Sequence, residues 1–123
     1  MLKVNHTRMG NVAVLCLKGK IVLGETVALR RAVLTQLDAD VVVLDLARVN
    51  TIDAGGLGVL LEMRQHTQSR GIEFRLMNVT RLVGQVLEIT RLSSVFGMLT
   101  EPEVRSRIRP RPFALVRQLA ACA

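Results

Sequence analysis

The run VVVLDLARVNTIDAGGLGVLL, residues 41–61, decides the fold. Its first six residues are β-branched or apolar except for one acid, Asp45. A continuous run of this kind suits a central strand covered on both faces, as in a parallel sheet. Further on, Leu57, Leu60 and Leu61 share one face at helical spacing, with Glu62 and Arg64 turned away from it. Asp53 stands where a helix needs an N-cap, its carboxylate accepting from the first free backbone N–H groups. Gly55 and Gly56 strip side chains from the first turn, so that a partner's backbone or an anion can approach it closely. The stretch therefore predicts a buried strand, a turn and a bare helix start.

On the N-terminal side, residues 12–17 read as an apolar strand ended by Lys18-Gly19-Lys20. Residues 3–8 form a more polar strand, joined to it by a hairpin turn at Gly10-Asn11. That first strand belongs at a sheet edge, where Lys and polar side chains are tolerated. Between 25 and 37, Leu29, Val33 and Leu37 repeat every fourth residue and predict a helix, which Asp38-Ala39-Asp40 ends. On the C-terminal side, the helix after Asp53 closes near Ser69-Arg70-Gly71. Residues 72–77 alternate as a strand. A helix over 80–91 carries Val83, Val86 and Leu87 inward, with Thr80 as its cap. A short strand at 95–99 precedes a helix opened by Glu101-Pro102-Glu103 and carrying Val104 and Ile108. Arg109-Pro110-Arg111-Pro112 then breaks any helix, and Phe113 to Leu119 suits a further helical turn or two.

Strands alternating with helices imply right-handed crossovers onto a largely parallel sheet, made mixed by the opening hairpin. The expected class is α/β: four to five strands flanked by about four helices. The domain is expected to span residues 1–106, ending by about Arg109, with a basic Arg/Pro-containing tail at 107–123.

The chain has 123 residues, half of them apolar, with three Phe and no Trp or Tyr, which predicts one domain with a mainly aliphatic core. Charged residues make up 22%, too few to suggest a wholly disordered chain. Of the net +7, only +2 belongs to residues 1–103, where twelve Lys/Arg face ten Asp/Glu. The remainder comes from Arg105, Arg107, Arg109, Arg111 and Arg117. The basic character is thus mainly a property of the tail, and apart from Phe113 that tail lacks the aromatics that stack on bases. No direct nucleic-acid partner is expected. No apolar run reaches signal-peptide or membrane-spanning length, which predicts a cytoplasmic chain. Cys16 and Cys122 lie far apart and are expected to be reduced.

His6 and His66 are isolated, so neither a metal site nor a cofactor is expected. Neither Cys has the sequence context of a nucleophile, and no Ser/His/Asp pattern occurs, so an enzyme is not expected. Asp45 and Asp53 read as a strand residue and a cap rather than an acid pair. At the Asp53 turn three readings compete. The plainest is a cap with close packing. A nucleotide loop is the second, but the turn lacks the Lys-Ser/Thr of a P-loop and the full glycine spacing of a dinucleotide fingerprint.

The third reading is a resemblance. Residues 52–61, IDAGGLGVLL, resemble the Asp-Ser-Ser/Thr-Gly-Leu-Gly signature of the STAS family. Residues 42–49 resemble its central strand, 14–21 its second strand and Gly-x-Leu/Ile turn, and 74–79 its fourth strand; together they cover about residues 3–103. The resemblance implies an anti-sigma factor antagonist, a signal-transduction domain that binds an anti-sigma factor which is also a GHKL-type serine kinase and so frees the sigma factor. In the family, the kinase phosphorylates the second Ser/Thr of the signature and the complex falls apart. Here that position is Gly55, preceded by Ala54, and neither has a hydroxyl. Val22 stands where many members carry Asp. The resemblance therefore implies a non-phosphorylatable variant, with Thr51 as the nearest other hydroxyl and with Gly55→Ser expected to restore the acceptor. The contact surface is expected to include Leu23, Gly24, Thr51, Asp53, Ala54, Gly55, Gly56 and Leu57. Alternatives are a phosphorylation-independent scaffold subunit of a transport or signalling complex and a small-ligand or nucleotide sensor. Exposed apolar residues would also suit a homodimer.

Overall fold

The computed structural model describes residues 1–110. The elements follow in the order β1 (Lys3–Met9), β2 (Val12–Ile21), α1 (Val27–Leu34), β3 (Val41–Ile52), α2 (Ala54–Gln68), β4 (Glu73–Met77), α3 (Arg81–Ile89), β5 (Gly97–Leu99) and α4 (Glu101–Ser106). They build a five-stranded sheet in the order β1-β2-β3-β4-β5. β1 and β2 pair antiparallel through the Gly10-Asn11 turn, and the remaining pairs are parallel. This is the expected mixed α/β architecture, with four helices.

Each parallel step moves one strand further in the same direction. Right-handed crossovers therefore stack α1, α2 and α3 on one face of the sheet. The larger core lies there. It joins Ala13, Leu15 and Leu17 of β2 and Val42, Leu44 and Leu46 of β3 to Leu29 and Val33 of α1, Leu57 and Leu60 of α2, and Val83 and Leu87 of α3. Each of these buried Val and Leu side chains contributes roughly 1.5–3 kcal/mol. Phe74 and Phe96 complete it, their ring centroids 6.4 Å apart. The opposite face holds a smaller core in which Val12, Val14, Val41, Val43, Met77 and Leu99 lie beneath Val104 of α4 and Ile108. The central strand is thus covered on both faces along its first half, more thinly on the second face.

Several boundaries depart from expectation. β2 does not end at Leu17 but continues through Lys18-Gly19-Lys20 to Ile21, and β3 continues to Ile52 rather than stopping near Leu46. The two extensions pair with one another, Lys18 with Arg48 and Ile21 with Ile52, across two register shifts. α1 is shorter than the pattern suggested, so Leu37 packs from a turn. Thr80 precedes α3 but makes no side-chain cap; its hydroxyl donates to the Val49 carbonyl at 2.9 Å and ties α3 to the β3 extension. Cys16 is disulfide-bonded, which corrects the expectation of reduced thiols at that position. It stands half-buried against the smaller core on the thinly covered face rather than in the main core. Cys122, like Phe113 to Leu119 and Arg111, lies outside the described residues. At the end of the described chain, Asn11 donates from its side chain to the Arg107 carbonyl at 3.1 Å and from its backbone to the Arg109 carbonyl at 3.2 Å. Arg107 also pairs with Glu73 at 2.8 Å.

Candidate functional site

The β2 and β3 extensions end side by side, and Asp53 sits where they meet. Its carboxylate accepts from the Gly56 N–H at 2.8 Å, which makes it the N-cap of α2. Both carboxylate oxygens also lie 3.1 Å from the Leu23 N–H. One side chain therefore closes the helix start and clamps the β2–α1 loop against it. The backbone adds a further tie: the Asp53 N–H donates to the Ile21 carbonyl at 3.3 Å. These donors, the Gly56 N–H foremost and the Leu23 N–H next, hold the Asp53 carboxyl below its ordinary value of 3.8.

The glycines are demanded by close approach. A β-carbon on Gly56 would run into the Ile21 carbonyl. One on Gly55 would lie 2.7 Å from the Leu23 β-carbon and 3.2 Å from its α-carbon. Leu23 thus fills the space that a side chain at position 55 would need. Its own side chain is 78% exposed. Gly24 follows with φ of 89° and is exposed.

The eight expected surface residues fall into two groups. Leu23, Gly24, Thr51, Asp53 and Ala54 are exposed and Gly55 is half-buried. Gly56 and Leu57 are buried and shape the surface from beneath. Thr51 is on β3 opposite Lys20 of β2. The sequence did not point to Ile21, whose carbonyl both receives the Asp53 N–H and forbids a side chain at position 56. The apolar residue two places after Gly19 was its only sign. Val27, 64% exposed at the start of α1, also went unremarked. Asp45 is a strand residue as expected, its Oδ1 accepting from the Ala47 N–H at 3.0 Å and from Asn78 at 3.2 Å. The described residues hold no group of three metal-ligating side chains, and none of their helices is long and apolar enough to cross a membrane.

The family model of the STAS domain matches residues 3–107. The chain belongs to the STAS family. No curated protein matches it. Among solved structures, it is similar to a putative anti-sigma factor antagonist from Thermotoga maritima, with 22% identity over 86% of this chain and 94% of that one and a TM-score of 0.76. An anti-sigma factor antagonist from Mycobacterium paratuberculosis gives 18% identity over 89% and 95%, with a TM-score of 0.75. A sulfate transporter family protein from Wolinella succinogenes gives 20% over 78% and 83%, with a TM-score of 0.63. At these identities the likeness establishes the STAS fold, which antagonists and a transporter-family protein share. In this STAS domain the Asp53 turn reads DAGGLG over residues 53–58.

Proposed function

We propose that this STAS domain works by protein–protein contact as an antagonist of an anti-sigma factor, docking through Leu23, Gly24, Thr51, Asp53, Ala54 and Gly55, and that no phosphate switches it. It acts as a binding module rather than an enzyme and regulates transcription indirectly, by setting how much sigma factor is free in the cytoplasm. The observation that carries the reading is the Asp53 clamp. It holds an exposed leucine beside a helix turn nearly bare of side chains, where a partner's backbone can come close.

The absence of switching rests on chemistry and on space. Gly55 has no hydroxyl, and Leu23 fills the room a serine would need. A phosphate adds about 1.5–2 negative charges and would disrupt a desolvated interface; without an acceptor the surface stays in its binding form. The test is affinity capture with the full chain from its own cells, comparing wild type with Leu23→Asp. Recovery of a GHKL-type anti-sigma kinase by wild type, lost in Leu23→Asp, is expected. Recovery of a transporter subunit instead would favour the scaffold reading. Equal capture of the kinase by both forms would move the interface elsewhere.

A further inference from the structure

α3 turns Val83 and Leu87 into the main core. Its outer side is not the polar face expected of a helix lying on a surface. Leu82 is 59% exposed and Ile89 81%, with Val86 half-buried between them. Positions 82, 86 and 89 share one side of a helix, at i, i+4 and i+7. Single apolar residues scattered over a surface are ordinary, whereas a row of them along one helix marks a contact face.

The charges beside the row identify what covers it. Arg81 is the first residue of α3 and Glu88 the last but one. Both are exposed, and neither has an ion pair among the described residues. Each stands at the wrong end for the helix's own dipole, which favours acids at the N-terminus and bases at the C-terminus. Both placements become favourable beside a helix that runs the opposite way. Arg81 then lies by the C-terminal end of that helix and Glu88 by its N-terminal end. A second copy of α3, turned end for end, also carries the matching charges. With position 82 set opposite position 89 of the other copy, Leu82 meets Ile89 and Gln85 meets Val86. Glu88 of one copy then lies only about 3 Å along the axis from the level of Arg81 of the other, within reach of the long arginine side chain. Twofold symmetry makes this ion pair twice, as a self-complementary interface requires.

We propose that α3 pairs antiparallel with α3 of a second copy of this chain, through Leu82, Val86 and Ile89 and through Arg81 with Glu88. None of these residues belongs to the surface proposed to dock the anti-sigma factor, so the pairing stands independently of that reading. One helix of nine residues from each side buries less than a standard interface, which makes the dimer weak and reversible.

The test is sedimentation equilibrium of the full chain in reducing buffer, which excludes disulfide-linked dimers. Wild type is expected to pass from monomer towards dimer as its concentration is raised to about 1 mM. Leu82→Asp and Ile89→Asp should each abolish the dimer; both positions are exposed, and circular dichroism checks that the fold is kept. Arg81→Glu and Glu88→Arg should each raise the dimer Kd about tenfold, because one reversal turns two attractions into repulsions. An equimolar mixture of these two variants should regain an affinity near that of wild type, since each supplies the charges that the other lacks. A chain that stays monomeric throughout, a dimer that persists in Leu82→Asp, or a mixture no tighter than its components would overturn the proposal.

Discussion

Asp53 does two jobs with one carboxylate, and both need its charge. The Gly56 and Leu23 N–H groups stabilise the ionised form in the folded chain, so its folded pKa lies below the ordinary 3.8. The stabilisation is complete above that value and is lost as pH falls through the lower, folded pKa. Asp53→Asn should therefore lower the melting temperature most near neutral pH, and the gap from wild type should narrow below 3.8; a gap constant with pH would contradict the clamp. The neighbouring glycines divide sharply. Gly56→Ala drives a methyl into the Ile21 carbonyl and should cost about 1–3 kcal/mol, the range for overpacking. Gly58, exposed within α2 with nothing within 4 Å of an added β-carbon, should gain up to about 1 kcal/mol on conversion to Ala. Urea melts of the two variants test the pair. Gly55→Ser needs Leu23 to move, so a competent kinase is expected to modify Leu23→Gly/Gly55→Ser faster than Gly55→Ser alone. Mass spectrometry of both after incubation with ATP decides this.

At the scale of elements, the Asp53 turn was legible because local chemistry alone builds it: a cap and two glycines at the end of an apolar strand. The extensions were not. Lys18-Gly19-Lys20 and Ala47-Arg48-Val49-Asn50-Thr51 look like loops, and they are strands because each supplies the other's backbone partners. Such pairing is long-range and leaves little trace in either segment. Thr80 misled for a related reason: its hydroxyl serves the Val49 carbonyl, a tertiary contact, rather than its own helix. α4 shows the reverse case. The Thr100 hydroxyl accepts from the Glu103 N–H while the Glu103 carboxylate accepts from the Thr100 N–H, a complete capping box. Thr100→Ala should destabilise the helix by about 1 kcal/mol, seen as faster hydrogen exchange at residues 103–107. Unchanged exchange there would mean that packing of Val104 alone holds the helix.

The whole molecule is a layered sheet with unequal faces. Sequential parallel strands send α1, α2 and α3 to one side, and Asp53 and Leu23 stand just past the C-terminal ends of β3 and β2. The order of strands was readable from alternation and handedness. Which face stays thinly covered was not, because it depends on how α4 folds back over Val12, Val41 and Met77. In the reducing cytoplasm where the domain is proposed to act, the Cys16 disulfide is not expected to persist. Because Cys16 lies outside the main core, Cys16→Ser is expected to keep the native fold by circular dichroism. The most direct measurement is the affinity of the domain for the proposed anti-sigma kinase, once one is recovered by capture, before and after prolonged incubation with ATP. The account predicts the same Kd in both states and no phosphate on residues 51–58; a complex that dissociates after ATP with phosphate on Thr51 would contradict it.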